Sequence, residues 1–367
     1  MSEFAKDTLS APRPRGSWGL RYLPGAFLLA CVTLGLPMTL WPAPTRELPR
    51  GRDVVTGDWA KAFETTLDRN LPLREAGVRV WAEIGYGLFR EGRPGVLVGQ
   101  DGWLYTSEEF QRPPDAGREL ARKVDYVRAV DRQLRARGVR LLVTLVPAKA
   151  RVYPEHLGRY RVPRAVDADL GRFAGALDRA GVANVNLAGP FLAAKTSGAL
   201  FLRTDTHWTP LGARVAARAV AAETRRRWPD LGLAPGEFRT ATGPAVNREG
   251  DLTRFLPVSP AHLPAPDVVR APKTERTDAG GGLLGDPVIS ATLVGTSYSA
   301  NATWNFDGAL REALGADVVN EAREGQGPMV PMRSFLRGKA ATNPDLRLVI
   351  WELPERFLTV PYPNAGS

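Results

Sequence analysis

Residues 139–149 read VRLLVTLVPAK, a continuous apolar run that stops at a proline. A run of that kind suits a strand covered on both faces, as in a parallel sheet, better than a strand with one wet face. The residues before it support this. From Asp115 to Arg137 the apolar positions Leu120, Val124, Val127 and Leu134 recur at helical spacing, and Gly138 is a suitable stop. A helix therefore feeds a buried strand.

The unit repeats along the chain. Pro163 to Ala180 reads as a helix leading into VANVNL, and Thr209-Pro210 offers an N-cap with proline at the first helical position. The apolar face of that third helix is expected to carry Leu211, Val215, Ala219 and Ala222, with Arg214, Arg218 and Arg225 facing elsewhere. ISATLVGTSYS reads as a strand entering a turn, and ADVVNEA and PDLRLVIWEL add two more apolar runs. Earlier, in PGVLVGQDGWLYTSEEF, the Gln100-Asp101-Gly102 turn between two short extended runs suggests a hairpin. Helices are also expected over Asp58 to Asp68 and Leu73 to Phe89. The tract 229–288 is rich in proline, glycine and charge and reads as an insertion or lid. Strands alternating with helices predict a three-layer α/β/α domain over residues 58–360.

The 367 residues are 44% hydrophobic, enough for a real core, and carry a formal charge of +10. That surplus favours an anionic partner, but no zinc-finger spacing or aromatic RNA-binding signature points to nucleic acid. Cys31 is the single cysteine, so no internal disulfide forms. Residues 22–41, YLPGAFLLACVTLGLPMTLW, are uncharged and follow Arg13, Arg15 and Arg21. The length matches a bilayer-spanning helix. A cleaved signal peptide is the competing reading, against which Trp41-Pro42-Ala43 is a poor cleavage site; a buried core helix is disfavoured by Pro24 and Pro37. The basic flank keeps residues 1–21 in the cytoplasm and puts everything after Trp41, beginning with a linker at 42–57, on the outer side.

In open α/β sheets reactive groups gather beyond the carboxyl ends of the strands. Ser297 stands at such an end, where a following helix N-terminus would aim free N–H groups at developing negative charge. Ser299 is the alternative nucleophile, and a simple turn is the plainer reading of both. Of three histidines, His262 lies in a proline-flanked stretch and His156 suits a structural role. His207 has Asp205 two residues before it, and in extended backbone such residues project to one side, so the carboxylate could hold one imidazole tautomer. A helix-capping turn competes with this, as does a metal site, which would need a third ligand that no nearby His or Cys supplies. NREGDLTRF reads as a turn, and Gly280 to Gly282 form no phosphate loop because no Lys-Ser/Thr pair follows.

Three of these stretches, GTSYSAN, DTHWTPLGA and PGVLVGQDGWLYTSEEF, together resemble the alginate O-acetyltransferase AlgX/AlgJ family, as do VPAKARVYPEHL, NEAREGQGP and LVIWELPERF. The likeness runs from about Asp58 to Phe357, and the membrane-anchored AlgJ type is the closer. It implies an SGNH-hydrolase-like fold with permuted motif order, the Asp-x-His pair preceding the serine. It implies Ser297 as nucleophile, His207 as base and Asp205 as its partner, with no metal and no cofactor. The Ser297 N–H is the natural first oxyanion donor, with Asn301, Gly325 and Gly327 as further candidates; Lys149, Arg151, Tyr298 and Arg356 are candidate substrate contacts, with a structural salt bridge the competing reading of Lys149, Arg151 and Arg356. The function implied is transfer of acetyl groups to hydroxyls of an exopolysaccharide, alginate or a similar polymer. A membrane-bound O-acyltransferase would supply the acetyl groups, with the anchor in the inner membrane and the catalytic domain in the periplasm. A carbohydrate acetyl esterase and a non-catalytic scaffold of a polysaccharide synthesis complex are the competing functions.

Overall fold

A computed structural model of the chain describes residues 74–278 and 288–361, with short stretches at 25–26, 29–30, 33, 55–61 and 64–65. Most of the apolar segment at 22–41, with Cys31, and the glycines at 280–282 lie outside the described residues. No helix among the described residues is long and apolar enough to cross a membrane. The chain divides into two units, residues 1–81 and 82–367. In the first, the described residues are helical except at Gly57. A helix, α1, runs from Arg74–Phe89.

The second unit opens with a hairpin of β1 (Val96–Val98) and β2 (Leu104–Thr106). Asp101 and Gly102 both take positive φ at its turn, as the sequence predicts. After α2 (Ala116–Arg135) comes β3 (Arg140–Val146), the run from which the fold was read. Next are α3 (Lys149–Val152), α4 (Arg164–Arg179), β4 (Asn184–Asn186) and α5 (Ala188–Ala194). Helix α6 (Pro210–Arg227) starts at the expected cap, Thr209 Oγ1 accepting from the Gly212 N–H. The remaining elements are β5 (Phe238–Arg248), β6 (Asp267–Arg276), β7 (Ala291–Val294), α7 (Ser297–Ala300), α8 (Phe306–Leu314), β8 (Val318–Asn320), α9 (Met329–Arg337) and β9 (Leu348–Pro354).

Five strands form one parallel sheet in the order β4-β3-β9-β7-β8. Pleating sends alternate side chains to two separate cores. Leu142 and Val146 of β3, Leu348 and Ile350 of β9 and Leu293 of β7 join the layer of α5, α6 and α8. Leu141, Val143, Leu145, Val349, Trp351 and Val294 join the layer of α2, α4 and α9. Each fully buried leucine or valine contributes about 1.5–3 kcal/mol of transfer free energy, which is why the strands read as near-continuous apolar runs. The three-layer expectation holds.

Two details differ from the sequence reading. Helix α6 buries Ala213, Ala216, Ala217, Val220 and Ala221, while Ala222 is exposed and Leu211, Val215 and Ala219 are only half-buried. Small side chains let the helix lie close to its neighbours, so the inner face is set by the alanines and not by the larger apolar residues. The tract 229–288 also carries regular structure: β5 and β6 form an antiparallel ribbon, paired from Phe238↔Arg276 to Arg248↔Asp267 with a register shift between Thr242 and Ala245.

Candidate active site

The chain leaves β7 through Gly295 and Thr296 and turns at once into α7. Thr296 caps that helix, its Oγ1 accepting from the Tyr298 N–H at 3.3 Å. A buried carboxylate, Glu352 of β9, lies beneath the turn and accepts from the Thr296 N–H at 2.7 Å, from Thr296 Oγ1 and from Ser299 Oγ at 3.0 Å. Strand alternation points Glu352 to the same face as Leu348 and Ile350, where the turn sits. Burial pushes its carboxyl up from the usual range, opposed by these donors. A Cβ on Gly295 would fall 2.5 Å from Glu352 Oε2, so only glycine fits there. These contacts separate the two serines. Ser299 is buried and bound to Glu352, whereas Ser297 is half-buried and turned toward His207.

His207 Nε2 lies 2.7 Å from Ser297 Oγ, and its Nδ1 lies 2.6 Å from Asp205 Oδ1. Because an ionised carboxylate only accepts, Nδ1 carries the proton and Nε2 is left to accept from the serine hydroxyl. Burial would raise the Asp205 carboxyl, but the hydrogen bond and charge of His207 outweigh it and hold the group at about 2. The proximity does not come from strand pleating, as the sequence suggested. Residues 202–207 form a tight loop closed by a bridge between Phe201 and Trp208, within which Asp205 Oδ1 also accepts the backbone N–H of His207 at 2.9 Å. This is an Asx-type turn. The imidazole lies against Tyr298, 4.9 Å between centroids, and stacks on Trp304 at 5.6 Å and 25°.

The loop is held from both sides. Lys149 is fully buried and donates to the carbonyls of Leu202, Arg203 and Asp205 at 3.0, 3.2 and 2.7 Å. Burial lowers its ammonium to about 8. From the ribbon side, Asp251 accepts from the Thr206 N–H at 2.8 Å and Thr206 Oγ1 at 2.7 Å, and its own N–H donates to Asp205 Oδ2 at 3.2 Å. Sequence reasoning passed over Asp251 as part of a turn. Its one signal is Gly250, where a Cβ would meet the Thr204 backbone at 2.1 Å. A third ligand-type residue is thus present after all: donor atoms of Asp205, His207 and Asp251 lie within 4.8 Å of one another. All four carboxylate oxygens already accept hydrogen bonds from the loop or the ribbon, so the cluster works as a hydrogen-bond network.

The other expected site residues divide. Lys149, Arg151 and Tyr298, expected as candidate substrate contacts, each have partners within the protein. Arg151 pairs with Glu355 at 2.6 Å and Asp167 at 2.8 Å, and the Tyr298 hydroxyl donates to the Thr206 carbonyl. Arg356 lies over Tyr298, 5.6 Å from its centroid, with Nε 3.4 Å from Glu108 and Nη1 without a hydrogen-bond partner. Asn301 uses its N–H on the Ser297 carbonyl and its Oδ1 on the Thr303 N–H. Gly325 and Gly327 take positive φ beyond β8; their loop reaches the nucleophile turn through the Arg323 N–H on the Gly295 carbonyl, and neither glycine bonds to Ser297. His156 stacks on Trp103 and pairs with Asp101, the structural role expected, and His262 pairs with Glu83.

A serine at the carboxyl edge of a parallel sheet, facing an Asp-x-His loop from an earlier part of the chain, defines an SGNH hydrolase-like α/β domain. A family model for the SGNH hydrolase-like domain of the acetyltransferase AlgX matches residues 96–355, and the chain belongs to this acetyltransferase family. It is 42% identical over 320 residues to the probable alginate O-acetylase AlgJ of Pseudomonas aeruginosa, covering 83% of this chain and 81% of that protein. The O-acetyltransferase domain of Pseudomonas putida AlgJ superposes with a TM-score of 0.68 at 40% identity, over 75% of this chain and 96% of that one. Pseudomonas aeruginosa AlgX superposes with a TM-score of 0.57 at 25% identity, over 71% and 62%.

Proposed function

We propose that the chain is an O-acetyltransferase that esterifies hydroxyls of alginate, or of a closely similar polymer, through an acetyl-serine intermediate. The observation that carries the reading is the 2.7 Å contact between Ser297 Oγ and a ring nitrogen of His207 whose other nitrogen is fixed on Asp205. His207 takes the hydroxyl proton as Ser297 attacks the acetyl carbonyl, and returns it to the donor's leaving group as the acetyl-serine forms. A sugar hydroxyl then replaces the leaving group. His207 removes its proton, the ester bond to the sugar forms, and Ser297 regains its hydrogen. Asp205 stays ionised throughout and steadies the imidazolium. The Ser297 N–H, at the first position of α7, is the first donor for the oxyanion, with the Asn301 side-chain amide as a candidate second.

The substrate assignment rests on what the AlgJ relatives are named for, and suits a chain with a formal charge of +10. An anchor at 22–41, a linker at 42–57, a catalytic domain at 58–360 facing the periplasm and a membrane-bound acyltransferase as acetyl donor complete the proposal. The test is intact-mass analysis after exposure to an activated acetyl ester. Wild type should gain one acetyl group, Ser299→Ala should gain it too, and Ser297→Ala should not. An adduct that persists in Ser297→Ala would sink the assignment.

A further inference from the structure

A cavity of about 390 Å³ lies between α6, α8 and the β5–β6 ribbon, and Trp304, whose indole stacks on His207, is part of its lining. Its lining includes three arginines from two elements: Arg214 and Arg218 on successive turns of α6, and Arg270 on β6. All three are exposed, and among the described residues none has a carboxylate partner. Elsewhere in the domain Arg112, Arg151, Arg226, Arg276 and Arg311 are each held by a carboxylate; what sets Arg214, Arg218 and Arg270 apart is that they converge, unpaired, on one concave surface. The single acidic lining residue, Glu312, accepts the Thr240 hydroxyl at 2.6 Å. The cavity therefore carries three positive groups against one negative, and the indole N–H of Trp304 in its wall is buried without a partner. Cationic forks left unpaired around a concave surface fit carboxylates, which guanidinium binds in plane through two parallel hydrogen bonds.

We propose that this cavity is an acceptor subsite for the carboxylates of an anionic glycan, one wall away from the reacting hydroxyl. Trp304 is that wall: fully buried, it stacks on the His207 imidazole, and the guanidinium of Arg248 lies 4.9 Å from its ring centroid. A uronate chain with one sugar at Ser297 presents the carboxylates of neighbouring sugars to Arg214, Arg218 and Arg270. The subsite makes selectivity a matter of the flanking sugars and not of the one that is acetylated. This rests on the reading of Ser297 as the acetyl carrier, and its test does not depend on turnover.

Binding of a defined oligouronate to the full chain is measured by calorimetry at low and at high salt, beside a neutral oligoglucan of equal length. The variant Arg214→Ala/Arg218→Ala/Arg270→Ala is compared with Arg128→Ala/Arg132→Ala/Arg179→Ala, which loses the same charge from the opposite helical layer; thermal melts show whether each is folded. The subsite predicts oligouronate binding weakened roughly tenfold or more in the first variant and little changed in the second, with the difference shrinking at high salt. Equal losses in both would reduce the effect to net charge and overturn the proposal, as would unchanged binding in the first, or neutral glycan bound as tightly as uronate. If the first variant fails to fold, the single change Arg270→Ala, on the ribbon, carries the same comparison. Failure of wild type to form an acetyl-enzyme would undo the reading of Ser297 while leaving this binding result to stand or fall alone.

Discussion

The indole N–H of Trp208 donates to the backbone carbonyl of Tyr298 at 3.1 Å, and these residues immediately follow His207 and Ser297 in the chain. The Tyr298 hydroxyl reaches back to the Thr206 carbonyl, the residue before the histidine. Two hydrogen bonds thus rivet the histidine loop to the Ser297 turn on either side of the His207–Ser297 contact. Tyr298→Phe removes one and leaves a buried carbonyl unpaired, at a cost of about 1–3 kcal/mol. Thermal unfolding should fall by roughly 2–4 °C per kcal/mol, and acetyl-enzyme formation should slow as the 2.7 Å contact loosens. An unchanged acylation rate in a destabilised protein would mean the rivet serves the fold alone.

Asp251 should matter almost as much as the pair it supports. Asn in its place keeps one acceptor where two are used, so Asp251→Asn should lower stability by about 1–3 kcal/mol. Its effect on acylation should be smaller than that of Asp205→Asn, for which a loss of order 10⁴ follows from the wrong tautomer. Single-turnover acetylation of the two variants, measured side by side, checks the ranking.

Gly295→Ala drives a methyl into Glu352 and Ser299. The turn must shift, so acylation should drop while the remote hairpin and α2–α4 layer stay folded. Circular dichroism with intact-mass kinetics separates this from general unfolding.

The depressed Asp205 carboxyl makes a pH prediction. Its folded value of about 2 lies below its ordinary 3.8, so the ionised form stabilises the fold fully above about pH 4, and that contribution is lost as pH falls through about 2. Denaturant unfolding of wild type and Asp205→Asn should differ most near pH 5, by roughly 2 kcal/mol from this linkage, and converge toward pH 2.

Lys149 predicts a slope of the same sign in a far more alkaline window. Its folded value of about 8 lies below the ordinary 10.5, so between those pH values the unfolded chain holds a proton that the folded chain has shed, and stability rises with pH. Relative to Lys149→Met, which should be destabilised at every pH by three abandoned carbonyls, wild type should gain stability across that window. A flat difference would mean that Lys149 keeps its proton in the folded state.

Those residues also show where the sequence could be read and where it could not. The sheet was legible because strands buried on both faces leave long apolar runs, as in β3 and β9. Ser297, His207 and Asp205 were legible because each sits in a short local pattern that turn geometry makes meaningful. Asp251 was not, since its importance arises from a contact across 45 residues with Thr206 and no local pattern records it. The partners of Lys149 were hidden for a related reason: the three carbonyls that surround it belong to a loop more than fifty residues away. The α6 face misled because the sequence was weighed by side-chain size, whereas close helix contact selects the small residues.

The last strand of the sheet in sequence, β9, is the middle one in space, paired with β3 on one side and β7 on the other. It also brings Glu352, to which the nucleophile turn is tied. Without residues 348–354, β3 and β7 share no strand neighbour and Thr296 loses the carboxylate beneath it, so one stretch of chain completes both the sheet and the support of the serine turn. Both rest on pairing across long stretches of sequence, whose loop-closure entropy must be met before any contact rewards it.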